Sequence, residues 1–186
     1  LEGGICIRPA KDGEKFTALD GLNYDLSIDD LVIADEMKAI AIAGIMGGTD
    51  TGITERSQDV LLESAYFLSS SIRKSSRSLN LSTDSSYRFE RGVDPSQIIG
   101  SSELATKLIL ELAGGKAEKE TVIFNANQDS LPNISLNADK CRAVLGHNLK
   151  NQEMFEILEK LRLRKAADRN NISDWEIPSY RRDLTR

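Results

Sequence analysis

Residues 81–95, LSTDSSYRFERGVDP, crowd Asp84, Arg88, Glu90, Arg91 and Asp94 around Tyr87 and Phe89, with Gly92 and Pro95 as punctuation. Neither a helical period nor a strand alternation accounts for so many directional polar groups. The segment reads as a site or as a solvated, glycine-ended turn. Upstream, Glu63 is the single carboxylate in the apolar run VLLESAYF. Read as a strand, this run puts Leu61, Glu63 and Ala65 on one face. Glu63 then either faces solvent or points into a pocket, where it needs a partner from a Thr, an Arg or a ligand hydroxyl. The glycine-rich GIMGG at 44–48 lacks the Lys and Ser/Thr of a phosphate-binding loop and lacks GxGxxG spacing, which leaves a tight turn or a ligand-facing loop.

Other chemistries find few residues to run on. The sole histidine, His147, follows Gly146 at a helix end, where it reads as a surface cap. A Ser-His-Asp or Cys-His arrangement would require it to reach the motif from another module. Cys6 and Cys141 lie far apart without CxxC or His spacing and read as reduced thiols, not as a disulfide or metal site.

The elements that must position these groups change character along the chain. GICIRPA, EKFTALDG, DLVIAD, AIAIAGIMGG and VLLESAYF read as strands separated by Asp-Gly and Gly-rich turns. Ser69, Ser70 and Ser71 can cap a helix running to about Leu79, with Arg73, Lys74 and Arg77 on a basic face. Ile98, Ile99, Leu104, Leu108 and Leu112 then recur at helical spacing between Pro95 and Gly114-Gly115. ETVIFN reads as a further strand, and residues 125–133 as a linker. Beyond it come a short ISL strand, the helices NADKCRAVLG and NQEMFEILEKLRL, and DWEIPSYRRDL as a strand with a basic turn.

At 186 residues the chain fits one large or two small domains. Its net charge of −5 argues against nonspecific coating of nucleic acid. That charge is uneven, with roughly −8 over residues 1–130 and roughly +3 over residues 131–186, counted from the sequence. Two modules are therefore expected. No apolar run approaches membrane-spanning length, and the first residues lack both an initiator Met and a signal pattern. The chain reads as a piece of a longer cytoplasmic protein.

AIAGIMGG, VLLESAYF and STDSSYRFERGVDP, in this order and spacing, resemble the β subunits of bacterial phenylalanyl-tRNA synthetases. The resemblance covers nearly the whole chain. It implies an α+β fold: a mixed-sheet editing domain over residues 1–128, incomplete at its N-terminus, then a small α+β domain with a helix pair over residues 131–186, truncated at its C-terminus. It implies an editing pocket that hydrolyses tyrosine wrongly attached to tRNA(Phe), with Gly47 in the lining loop and Glu63 reading the tyrosine hydroxyl. Thr83 and Ser85 form the wall opposite, while Arg88, Glu90, Arg91 and Asp94 frame it. Ser85 departs from the family's usual alanine and predicts a smaller or more polar pocket. Asp183 falls where magnesium ligands begin in the longer protein, yet beside Arg181 and Arg182 it is expected to form an ion pair. ATP, Mg²⁺, tRNA(Phe) and an α subunit in an α₂β₂ assembly are implied for the whole enzyme. For this piece alone, no cofactor and little activity are expected. A noncatalytic RNA- or DNA-binding module and a scaffold role are the alternatives.

Overall fold

The computed structural model describes residues 1–118, 121–124 and 133–184. They form two compact units: Leu1–Val93 with Gln97–Gly115, and Asp94–Ser96 with the residues from Lys116 onward. The class is α+β, and every ladder among the described residues is antiparallel.

In the first unit, β1 (Cys6–Pro9), β4 (Leu31–Ala34), β5 (Ala39–Ile42) and β6 (Met46–Gly47) form one sheet in that order. Strands β2 (Glu14–Thr17) and β3 (Asn23–Leu26) form a hairpin, and an Ala18–Gly48 bridge joins its far end to the glycine loop. β4 and β5 are short apolar runs, and Val32, Ala34 and Ile42 are fully buried. Helices α1 (Ser69–Ser78) and α2 (Asp84–Phe89) complete this core. Ile72 of α1 is buried, and the Phe67 and Phe89 rings meet edge-on at 5.0 Å. Arg73 donates to the Glu90 carbonyl at 2.8 Å, tying α1 to the end of α2. Helix α3 (Ile98–Ala113) follows a 3-10 turn at Pro95–Gln97 and ends at Gly114 with φ +75°.

The second unit contains a three-stranded sheet, β7 (Ile134–Asn137), β9 (Ile172–Glu176) and β8 (Arg164–Arg169), with helices α4 (Ala138–Leu145) and α5 (Asn151–Lys160). Its core gathers Ala138, Met154, Leu163, Trp175 and Ile177. Trp175 is fully buried, and its indole N–H donates to Ser173 Oγ at 2.8 Å, which satisfies the one polar atom it carries inside. No helix among the described residues is long and apolar enough to cross a membrane.

Several expected elements differ. VLLESAYF is not a strand: residues 59–68 carry no ladder, and Val60, Leu61 and Leu62 are exposed. Composition favours a strand there, but no neighbouring strand takes its backbone hydrogen bonds. The opening motif does contain a helix, α2, which six residues were too few to betray by periodicity. Leu68, not a serine, occupies the N-cap of α1, and no side chain caps it. Strands β3 and β8 were not anticipated. Residues 121–124 form no strand, while Glu120, Asn125 and most of the expected linker lie outside the described residues.

Candidate functional site

The β5–β6 turn is the floor of the site. Gly44 adopts φ +67°, and a Cβ there would lie 2.8 Å from Phe67, 2.9 Å from Ile72 and 3.3 Å from Phe89. Only glycine meets both demands, the left-handed backbone and the close approach of three side chains. The turn's carbonyls then serve as anchors. Thr83 Oγ1 donates to the Ile45 carbonyl at 2.8 Å, and Ser85 Oγ donates to the Gly44 carbonyl at 3.0 Å. Thr83 is also the N-cap of α2. Its Oγ1 accepts from Ser86 N, and Ser86 Oγ accepts from Thr83 N, so a reciprocal capping box starts this short helix.

This tethering shapes a cleft of about 710 Å³. Gly47, Glu63, Thr83 and Ser85 all line it, so the four residues singled out from sequence, 38 positions apart at their extremes, converge on one cavity. Ile33, Ala41, Ile45, Ala65, Phe67 and Phe89 contribute its apolar surface. Ala65 follows Glu63 into the cavity as alternation suggests, whereas Leu61 is exposed outside it. Asp20, from the β2–β3 turn, and Asp84, the first residue of α2, also line the cleft. Nothing in the spacing marks Asp20. Asp84 could have been found from the capping signature Thr83-x-x-Ser86, which fixes where a helix begins beside the cavity.

The electrostatics are one-sided. Asp20, Glu63 and Asp84 line the cleft without a Lys or Arg among the lining residues. The Tyr24 hydroxyl and Leu22 N–H hold the Asp20 carboxyl below its ordinary range. Glu63 behaves oppositely: desolvation at the cavity raises its pKa, and it has no hydrogen-bond or ion-pair partner among the described residues. As a residue Glu63 is still exposed, so the desolvation is partial. A ligand hydroxyl donating to it would offset a cost the fold already carries.

The charged remainder of the motif forms only part of the expected frame. Arg91 pairs with Glu90 at 2.6 Å, donates to the Tyr87 carbonyl and stacks 3.4 Å above the Tyr87 ring. Arg88 is exposed and takes no partner among the described residues. Asp94 belongs to the second unit, where it accepts from Ser96 and from Ser179 Oγ at 2.9 Å.

Asp183 lies in the second unit as half of a bidentate pair, accepting from Arg181 Nε and Nη2 at 2.8 Å each. That guanidinium lowers its pKa. Both carboxylate oxygens are engaged, and no group of three or more His, Cys, Asp or Glu that could hold a metal occurs among the described residues. The residues present do not fit a magnesium site.

Comparison with known proteins agrees with this division. The B3/4 domain family matches residues 1–114, and the tRNA synthetase B5 domain family matches residues 134–186. The phenylalanine–tRNA ligase β subunit of Vibrio parahaemolyticus is 44% identical over 168 residues, 90% of this chain and 21% of that protein. Those of Syntrophus aciditrophicus and Fusobacterium nucleatum are 40% and 41% identical over the full chain, each covered over 23% of its length. The chain thus spans about a fifth to a quarter of the length of the curated relatives it matches. The chain belongs to the B3/4 domain family, its residues 134–186 match the tRNA synthetase B5 domain family, and it resembles phenylalanine–tRNA ligase β subunits along nearly its whole length.

Proposed function

We propose that this chain is the editing region and adjoining B5 domain of a phenylalanine–tRNA ligase β subunit, with domains at 1–128 and 131–186. The whole enzyme charges tRNA(Phe) with phenylalanine in the cytoplasm, using ATP and Mg²⁺ in an α₂β₂ assembly. Its synthetic site lies on the α subunit. The cleft around Gly47, Glu63, Thr83 and Ser85 removes tyrosine attached in error. Water attacks the ester carbonyl carbon, the bond to the ribose oxygen breaks, and tyrosine and free tRNA result. The cleft contributes orientation and recognition, since no histidine or cysteine lines it.

One observation carries this reading: Glu63, partly desolvated and without a partner among the described residues, lines a cavity whose wall includes Ile33, Ala41, Phe67 and Phe89. A tyrosine ring matches the apolar wall and its hydroxyl can donate to Glu63. A phenylalanine ring would leave the carboxylate unpaired. Sites built to bind a hydroxyl reject the analogue lacking it by roughly 10⁴-fold. The test is deacylation of Tyr-tRNA(Phe) and Phe-tRNA(Phe) by the full enzyme. Glu63→Ala should bring the two rates within about tenfold of each other. A variant that still cleaves only the tyrosyl ester rules out Glu63 as the reader.

A further inference from the structure

Toward a ligand, the side chains of this cleft present acceptors and almost no donors. The hydroxyl protons of Thr83 and Ser85 are committed to the carbonyls of Ile45 and Gly44, which leaves each oxygen to accept. The other polar side chains on the wall are Asp20, Glu63 and Asp84. Asp20 is already occupied by Tyr24 and Leu22. Asp84 has no side-chain partner among the described residues. It adjoins Ser85 at the start of α2, on an element held in place by its capping box. Glu63 and Asp84 are both exposed at the cleft, and a ligand that engages both brings two donors, one of which can be cationic.

An aminoacyl ester brings both, a phenol hydroxyl and a free α-ammonium group. We propose that Asp84 is a specificity-determining residue that binds the α-ammonium group, so that the cleft recognises a phenolic side chain and an unmodified amino group together. This rests on the reading of the cleft as the site of tyrosyl-ester hydrolysis. It also accounts for release. Hydrolysis replaces a neutral ester with a carboxylate, turning a cation into a zwitterion, and the new anion meets a wall of carboxylates and acceptor oxygens.

The test compares two esters in the full enzyme, Tyr-tRNA(Phe) and the same tRNA carrying 3-(4-hydroxyphenyl)propionate. The second keeps the phenol and loses only the ammonium group. Each rate is divided by that ester's spontaneous hydrolysis, because the ammonium group itself activates the carbonyl. The wild-type enzyme should favour the tyrosyl ester by about 10- to 100-fold in kcat/KM, the range of a charge-assisted hydrogen bond. Asp84→Asn should lose that preference by slowing the tyrosyl ester while changing the deaminated one less than about twofold. Equal handling of both esters by the wild type, or an equal loss on both in Asp84→Asn, overturns the assignment; the wild-type arm needs no variant to fold. Glu63→Ala run in parallel separates the two ideas. If its selectivity is unchanged, the reading of the cleft fails, and the role of Asp84 with it. If selectivity collapses in Glu63→Ala but the ammonium group proves irrelevant, only the assignment of Asp84 fails.

Discussion

The cleft of the first unit treats its carboxylates differently from the second unit. In the second unit, Asp139 faces Arg142, Asp168 faces Lys165, Glu176 faces Arg164 and Asp183 is clamped by Arg181. In the cleft of the first unit, Asp84 and Glu63 face no base among the described residues, although Arg8 and Glu14 of the same unit pair at 2.8 Å elsewhere. The first unit can pair its charges and does so away from the cavity. Surface pairs contribute little to stability, so the pairing in the second unit tidies charge more than it holds the fold. The bare carboxylates are the informative ones, because they are acceptors kept available.

Three perturbations would sharpen or break this contrast. The largest effect is expected for Trp175→Ala, which empties the centre of the second unit and should cost it about 3–5 kcal/mol. Hydrogen exchange read by mass spectrometry should show the residues of β7, β8 and β9 losing protection while β4 and β5 keep theirs. Equal loss in both would mean that the units are not separately cored. Next comes Gly44→Ala, which combines a left-handed backbone with contacts at 2.8 and 2.9 Å from Phe67 and Ile72. A cost of about 2–4 kcal/mol to the first unit is expected in chemical denaturation. A near-neutral result would show that the floor of the cleft is pliable and that its acceptors are not held in place. The smallest effect concerns pH. The Arg8 guanidinium holds Glu14 down to about 2 from its ordinary 4.5. A depressed carboxyl stabilises above the unfolded value, and that contribution fades as pH falls from about 4.5 through about 2. Thermal melts should show Arg8→Met removing on the order of 1 kcal/mol at pH 7 and flattening the acid limb of the first unit. An unchanged acid limb would mean that this pair, like those of the second unit, is only tidy.

Much of this architecture is legible in the chain. The strand runs around β1, β2, β4 and β5, the helix between Pro95 and Gly114, and the helix pair of the second unit follow from alternation, helical period and glycine stops. The convergence of Gly47, Glu63, Thr83 and Ser85 was reached through resemblance, since nothing local links residues on a turn, an irregular segment and a helix cap. The failures share a cause. VLLESAYF has strand composition, but pairing is a property of neighbours. α2 is too short for a period and is specified by the Thr83–Ser86 cap alone. Ser85 was expected to make the pocket smaller or more polar. It lines the cleft, and its proton goes to the Gly44 carbonyl, so the hydroxyl serves as a tether as well as a lining group.

That tether, with its neighbour at Thr83, stitches α2 to a turn 38 and 41 residues earlier in the chain. Both acceptors belong to the Gly44 turn, against which Phe67 and Phe89 pack, so the wall of the cleft opens locally when these two hydrogen bonds break. The Ser86 amide, capped by Thr83 Oγ1 at 3.0 Å, is the natural clock for that event. Its exchange with solvent would time the breathing of the wall without disturbing a single lining residue.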